Sequence, residues 1–307
     1  MPKQINIAQE TQDIVDQFAT SMNPVQKRLY NRVSALLKEL SVDADGNIKQ
    51  TVSNLNIIND VEKELNSVLY DPTFQKNVAQ INGALDDIDE MQTHFFDNTF
   101  DDFSQPKVIP AMQDQAFTDA VTSLTGAGMQ SEVLGHALDV VKTGITEGSS
   151  FADMNTALRD SMLGDSEVDG KLVSYTKQIL SDTLHNQARN YNSIVTKKLG
   201  LQWYEYVGTL KDTSRPWCIA LEDKRWIHES ELSSICRGYI DGEKVSLAGL
   251  MPDTNKENVV SRCGGYNCQH HMIPVPAERV PSKIRREFED DIEPDEDEIA
   301  DSAPSHD

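Results

Sequence analysis

Apolar residues recur every three or four positions through most of the first 200 residues, the spacing that gathers them on one face of an α-helix. Leu29, Val33, Leu36, Leu37 and Leu40 form one such stripe. Asn23 and Pro24 stand before it. Proline is favoured at the first helical position, so the pair predicts a helix start there. Ile58, Val61, Leu65, Val68 and Leu69 form a second stripe, stopped at Asp71-Pro72 because the residue before proline avoids the α region. Phe74, Val78, Ile81, Leu85 and Ile88 form a third. These stripes read as helix packing and carry no chemistry.

The period fails over Phe96–Met112, where two prolines fall, and this predicts a linker or boundary. Phe117, Ala120, Val121 and Leu124 resume it, Thr125–Met129 breaks it, and a helix fits Val133–Ile145. Ser149 or Ser150 then caps a short helix that Gly164 ends, and a long helix follows from about Leu172 to Leu199 with Gly200 as its stop. At Trp203 the pattern changes. "LQWYEYVGTL" is aromatic and β-branched enough for a strand, "LEDKRWI" reads as a turn into a strand, and "QHHMIPVP" reads as a last strand. The expected fold is mainly α, with a small C-terminal α+β module rich in cysteine and histidine, and a disordered acidic tail. The regions are 1–105, helical; 106–202, helical and ending in the long helix; 203–280, the compact module; and 281–307, a basic and then acidic tail.

Charge sharpens the last of these. The 307 residues carry a formal charge of −22, and Glu287–Asp307 holds eleven acidic residues with no Lys or Arg. Such a segment buries too little apolar surface to offset its ordering entropy. An acidic chain is also a poor nonspecific binder of nucleic acid, whose phosphates call for Lys and Arg. No apolar run reaches the ~20 residues that span a bilayer, and "MPKQINIAQETQD" has no apolar core for a signal peptide, so the chain is expected in the cytoplasm when made, with no membrane partner.

All four cysteines fall between Cys218 and Cys268, in a window that also holds His228, with His270 and His271 just beyond it. Thiolate and imidazole are the ligands zinc prefers, and four close a structural site. Cys218, Cys263, Cys268 and His270 are the candidate set, with Cys236, His228 and His271 as substitutes. Two other readings stay open: small buried apolar groups, or a disulfide formed after release from the cell. A nuclease reading would take His270 or His271 as general base and Arg262 or Arg237 as phosphate ligand. The chain offers it no second acid and no carboxylate cluster for Mg²⁺. It also has no phosphate-binding loop, no nucleophile elbow and no HExxH. Adjacent strand histidines point to opposite faces, so at most one serves a given site.

Two stretches carry a family resemblance. "RNYNSIVTKKLGLQWYEYVGTLKDTSRPWC", followed after an insert by "SRCGGYNCQHHMIPV", resembles the minor head, or head morphogenesis, proteins of tailed bacteriophages, the Mu F-like group. Gly208, Asp212, Ser214, Arg215, Trp217 and Cys218 match the opening half of the family pattern. Gly264, Gly265, Asn267, Cys268, His270 and Pro274 match its closing half. Gln269 departs from it, since many relatives carry Arg there. The resemblance implies a structural virion component with no enzymatic activity, made in the host cytoplasm. It would sit with the portal and other capsid proteins, near packaged DNA, and act in head assembly, packaging or delivery. The alternative is a virion-carried nuclease or toxin-like effector built on the Cys/His module. On the structural reading Gly264-Gly265 permit positive φ in a sharp turn, Asn267 bonds that turn's backbone, and Asp212 accepts backbone bonds in its own turn. Metal or packing pins Cys268 and His270 to Cys218. The module is then a rigid knob on the end of the long helix.

Overall fold

The computed structural model describes residues 7–165 and 167–289. The helices are α1 (Ile7–Leu37), α2 (Val52–Asn66), α3 (Pro72–Ala79), α4 (Ile81–Thr99), α5 (Ile109–Thr125), α6 (Ala127–Met129), α7 (His136–Glu147), α8 (Phe151–Leu163) and α9 (Lys171–Leu199). A π-helical turn, Gln130–Gly135, joins α6 to α7. The module follows with β1 (Trp203–Val207), α10 (Pro216–Lys224), β2 (Trp226–His228), α11 (Leu232–Cys236), β3 (Tyr239–Ile240), β4 (Glu243–Lys244), α12 (Val259–Arg262), β5 (His271–Val275) and α13 (Ser282–Glu289). The chain is mainly α with a small C-terminal sheet region in which cysteines and histidines cluster, as the pattern predicts. Among the described residues no helix is long and apolar enough to cross a membrane.

The helical stops behave as local chemistry requires. Asp71 caps α3, accepting from the N–H groups of Thr73 and Phe74 at 2.8 and 3.1 Å. Ser150 caps α8, and Gly200 ends α9 in the left-handed conformation. Pro24 does not start a helix. It lies inside α1, which begins at Ile7. An interior proline costs ~3 kcal/mol. The stripe Val15, Phe18, Ala19, Met22, Val25, Leu29, Val33 and Leu37 is buried on both sides of it, and each large side chain is worth ~1.5–3 kcal/mol on burial. Packing therefore outweighs the lost backbone bond.

The break expected around Phe96–Met112 is shorter than its compositional signal, because α4 runs to Thr99 and α5 starts at Ile109. It does not divide the interior. One buried cluster joins Ile7, Leu29, Leu85, Phe96, Leu124, Val141, Leu184 and Val195, so the regions expected at 1–105 and 106–202 share a single core. Helix α9 runs through it, packed by α1, α4 and α5.

In the module, β1 is the central strand of an antiparallel sheet in the order β2-β1-β5. Pro274 sits in the edge strand β5, where a missing N–H is tolerated. Both faces of this sheet are covered. Tyr204, Tyr206 and Met272 point into the module's own core with Trp217, Leu221 and Ile227, while Ile273 joins the helical core on the other face. That is why all five residues of β5 are buried. Sheet strand and α12 lie along α9. The module is thus docked on the flank of the long helix, and the expected knob on its end is corrected. The stretch read as a turn at Leu221–Lys224 belongs to α10, which Pro216 opens.

The first part of the region expected as tail is helical. Residues 282–289 form α13, and Phe288 packs edge-on against Trp203 at 5.1 Å between ring centroids and against His228 at 4.9 Å. The remainder of the acidic tail, 290–307, lies outside the described residues.

Candidate metal centre

Cys218 and Cys268, one in each half of the resemblance and 50 residues apart in sequence, meet at one point. Cys218 is in the first turn of α10. Cys268 and His270 precede β5. The Cys218 and Cys268 sulfurs are 3.9 Å apart, and Cys268 Sγ is 3.7 Å from His270 Nδ1. The ligand atoms of these three buried residues all lie within 4.8 Å of one another and can hold a metal ion.

Two glycines make this approach possible. A Cβ on Gly264 would stand 2.7 Å from both the Cys218 and the Cys268 sulfur, and one on Gly208 would stand 2.4 Å from the His270 ring. Close approach, rather than backbone conformation, is what these two positions require. In the Gly264-Gly265 pair only Gly265 has positive φ, at 85°. Cys263, at φ 46°, and Asn267, at φ 56°, adopt it without being glycine.

The remaining candidates separate. Cys263 stands beside Cys268 but outside the three-residue group, with its thiol 3.7 Å from the Tyr206 hydroxyl. Cys236 ends α11, half-buried, and burial pushes its thiol up to about 11. His228 caps a 3₁₀ turn and lies against Trp203 and Phe288. His271 faces away from the cysteines, its Nε2 2.9 Å from Nδ1 of His185 on α9. Of the two phosphate-ligand candidates, Arg262 is paired with Asp253 and Arg237 contacts the Ser233 and Ser234 hydroxyls. Asp212 is exposed; in its turn the Ser214 hydroxyl accepts the Lys211 N–H at 2.8 Å. Asn267 contributes its backbone N–H rather than its side chain. Arg215 donates to the Tyr266 carbonyl at 2.6 Å, and Trp217 Nε1 donates to the Ile235 carbonyl at 3.1 Å.

Compared with protein-family models, with curated proteins and with solved structures, the chain matches none.

Residues that the sequence pattern did not single out complete the site. Asp182, His185 and Arg189 lie on one face of α9, at a spacing of three and then four. Asp182 accepts the Asn267 N–H at 3.0 Å. Arg189 is 2 % exposed, donates from Nε to the His270 carbonyl at 3.0 Å and from Nη2 to the Cys268 carbonyl, and has no carboxylate partner among the described residues. A buried guanidinium calls for a compensating negative charge. Cys268 supplies it. Hydrogen bonds from the Cys218 and Cys263 thiols, then His270 and the charge of Arg189, hold Cys268 well below the usual thiol range despite its burial. Cys218 is pushed up by its bond to Cys268 and by burial, and Cys263 by burial and the same neighbour. Burial, with Arg189 next, drops His185 to about 3, and burial likewise keeps His271 neutral.

Proposed function

We propose that this chain is a structural component of a tailed-phage head, a minor head protein that binds the portal and other capsid proteins and catalyses no reaction. In it, zinc held by Cys218, Cys268 and His270 fastens the C-terminal module. The observation that carries the reading is the use made of α9. Three of its side chains, Asp182, His185 and Arg189, are engaged with residues 267–271, so the turn that resembles the phage proteins serves as a joint between helix and module. The two histidines a nuclease would need are both largely buried side chains. His270 is 3 % exposed and stacked on Tyr206, and His271 is fully buried.

The choice of zinc rests on donor type and spacing. With Zn–S of ~2.3 Å and Zn–N of ~2.0–2.1 Å, a tetrahedron needs sulfurs about 3.8 Å apart and sulfur about 3.6 Å from nitrogen. The separations of 3.9 and 3.7 Å support it. Elemental analysis of protein purified under reducing conditions should find about one zinc per chain; none above background removes the zinc from this reading. The functional test compares wild type, His270→Ala and His271→Ala in two assays. One is incorporation into particles beside the portal. The other is cleavage of DNA or RNA with Mg²⁺, Mn²⁺ or Zn²⁺. Incorporation of wild type in a few copies without cleavage is the expected result. Cleavage that either substitution abolishes while incorporation persists makes the protein a nuclease.

A further inference from the structure

Cys218, Cys268 and His270 line a surface cavity of about 270 Å³, and Lys211, Ser214 and Arg215 line it with them. Cys263 does not. It is fully buried beside both Tyr206 and Cys268, and it is outside the three-residue group. A zinc ion with three protein ligands keeps an exchangeable fourth position, whereas a four-ligand structural site does not. Here all three candidate ligands line the cavity, and the candidate fourth ligand, Cys263, does not.

The cavity's other features favour negative charge. Lys211, whose charge reaches Asp16, makes no salt bridge among the described residues, and Arg215, whose charge reaches Asp182, donates to a carbonyl rather than a carboxylate. The nine-residue α10 begins here, with Arg215 as an extended N-cap and no side-chain cap, so the positive end of the helix meets the cavity at Cys218. His270, whose Nδ1 faces Cys268, has its Nε2 buried without a hydrogen-bond partner. The chain as a whole, at −22, repels anions, so attraction must be local.

We propose that the metal held by Cys218, Cys268 and His270 leaves its fourth position open to this cavity and takes a small oxyanion there, phosphate or a carboxylate, gripped by Lys211 and Arg215. The inference rests on the zinc reading above. The volume suits a phosphate or a single carboxylate group and falls short of the ~300–1,000 Å³ of sites for drug-sized ligands.

The test uses the full chain loaded with cobalt(II), whose visible d–d bands report ligand number and whose thiolate charge-transfer band reports the cysteines. Inorganic phosphate and acetate are titrated separately. The expected result is a saturable change in the d–d bands with the thiolate band retained. Lys211→Ala, an exposed position, should weaken the tighter-binding anion about fivefold at unchanged cobalt affinity. Bands that ignore both anions, with a thiolate band that falls in Cys263→Ala, describe a closed four-ligand site. That outcome overturns this proposal and leaves the zinc reading standing, and the wild-type titration decides it even if Cys263→Ala fails to fold. An equal response in Lys211→Ala, or loss of the thiolate band on titration, also overturns it. Absence of any thiolate band in the cobalt protein overturns both readings.

Discussion

Asp89 on α4 is a carboxylate placed where its charge is costly. It is 5 % exposed, and both of its oxygens accept from a single donor, Gln187 Nε2 on α9, at 2.9 Å each. No Lys or Arg pairs with it among the described residues. Burial, opposed by the Gln187 bond and aided by Asp86, raises its pKa from 3.8 to about 6. The sign follows from proton binding. Between these two values the folded chain holds the proton more tightly than the unfolded chain. The stability contributed by protonated Asp89 is therefore full below pH 3.8 and is lost as pH rises through about 6. A shift of about two units corresponds to about 3 kcal/mol at neutral pH as an upper bound. Asp89→Asn removes that cost. The amide keeps an acceptor for Gln187 Nε2 and offers a donor to Gln187 Oε1, which is buried without a partner. The substitution should therefore stabilise the protein by about 1–3 kcal/mol at pH 7.5, a rise in Tm of several degrees for a chain of this size. The gain should shrink markedly at pH 4.5. Thermal and urea melts of both proteins at the two pH values measure it. A variant less stable than wild type at pH 7.5, or a difference that does not narrow in acid, would show that the buried carboxylate is compensated and that this reasoning fails.

Gly264→Ala should spread the Cys218 and Cys268 sulfurs, because its Cβ would stand 2.7 Å from each. Zinc affinity should fall about 10–100-fold, as for other losses of support around a metal, read by competition with a chromogenic chelator. Gly208→Ala forces the His270 ring aside from 2.4 Å and should lower Tm by several degrees; an unchanged melt would mean the ring moves freely. Phe288→Ala removes a ring from Trp203 and His228 at a partly exposed site and should cost about 1–2 kcal/mol in urea melts, whereas no change would mean that α13 adds nothing to the module.

Much of the fold was legible because its signals are local. The stripes of Leu29–Leu37, Val61–Leu65 and Phe74–Ile88 are buried as their period requires, and Ser150, Gly164 and Gly200 end or begin helices through hydrogen bonds and φ values that involve only a few neighbouring residues. Pro24 shows where local reasoning fails. Its cost is local, but the burial that overrides it comes from helices elsewhere in the chain.

The candidate site divides the same way. Residue type alone marked Cys218, Cys268 and His270, because thiol and imidazole are uncommon and were concentrated in one window. It could not separate them from Cys263, Cys236, His228 and His271, since which sulfur meets which nitrogen depends on how β1, α10 and β5 are laid together. It passed over Asp182, His185 and Arg189, which read along the chain as the polar side of a long helix. Only docking of the module against that side, across 79 to 86 residues of sequence for the Arg189 and His271 bonds, turns them into its anchors. The sequence by itself determined which segments are helical and which side chains could bind a metal, because periodicity and donor chemistry are properties of short stretches. Tertiary structure decided which of those side chains meet and which charges are buried, because distance and desolvation depend on segments far apart in the chain.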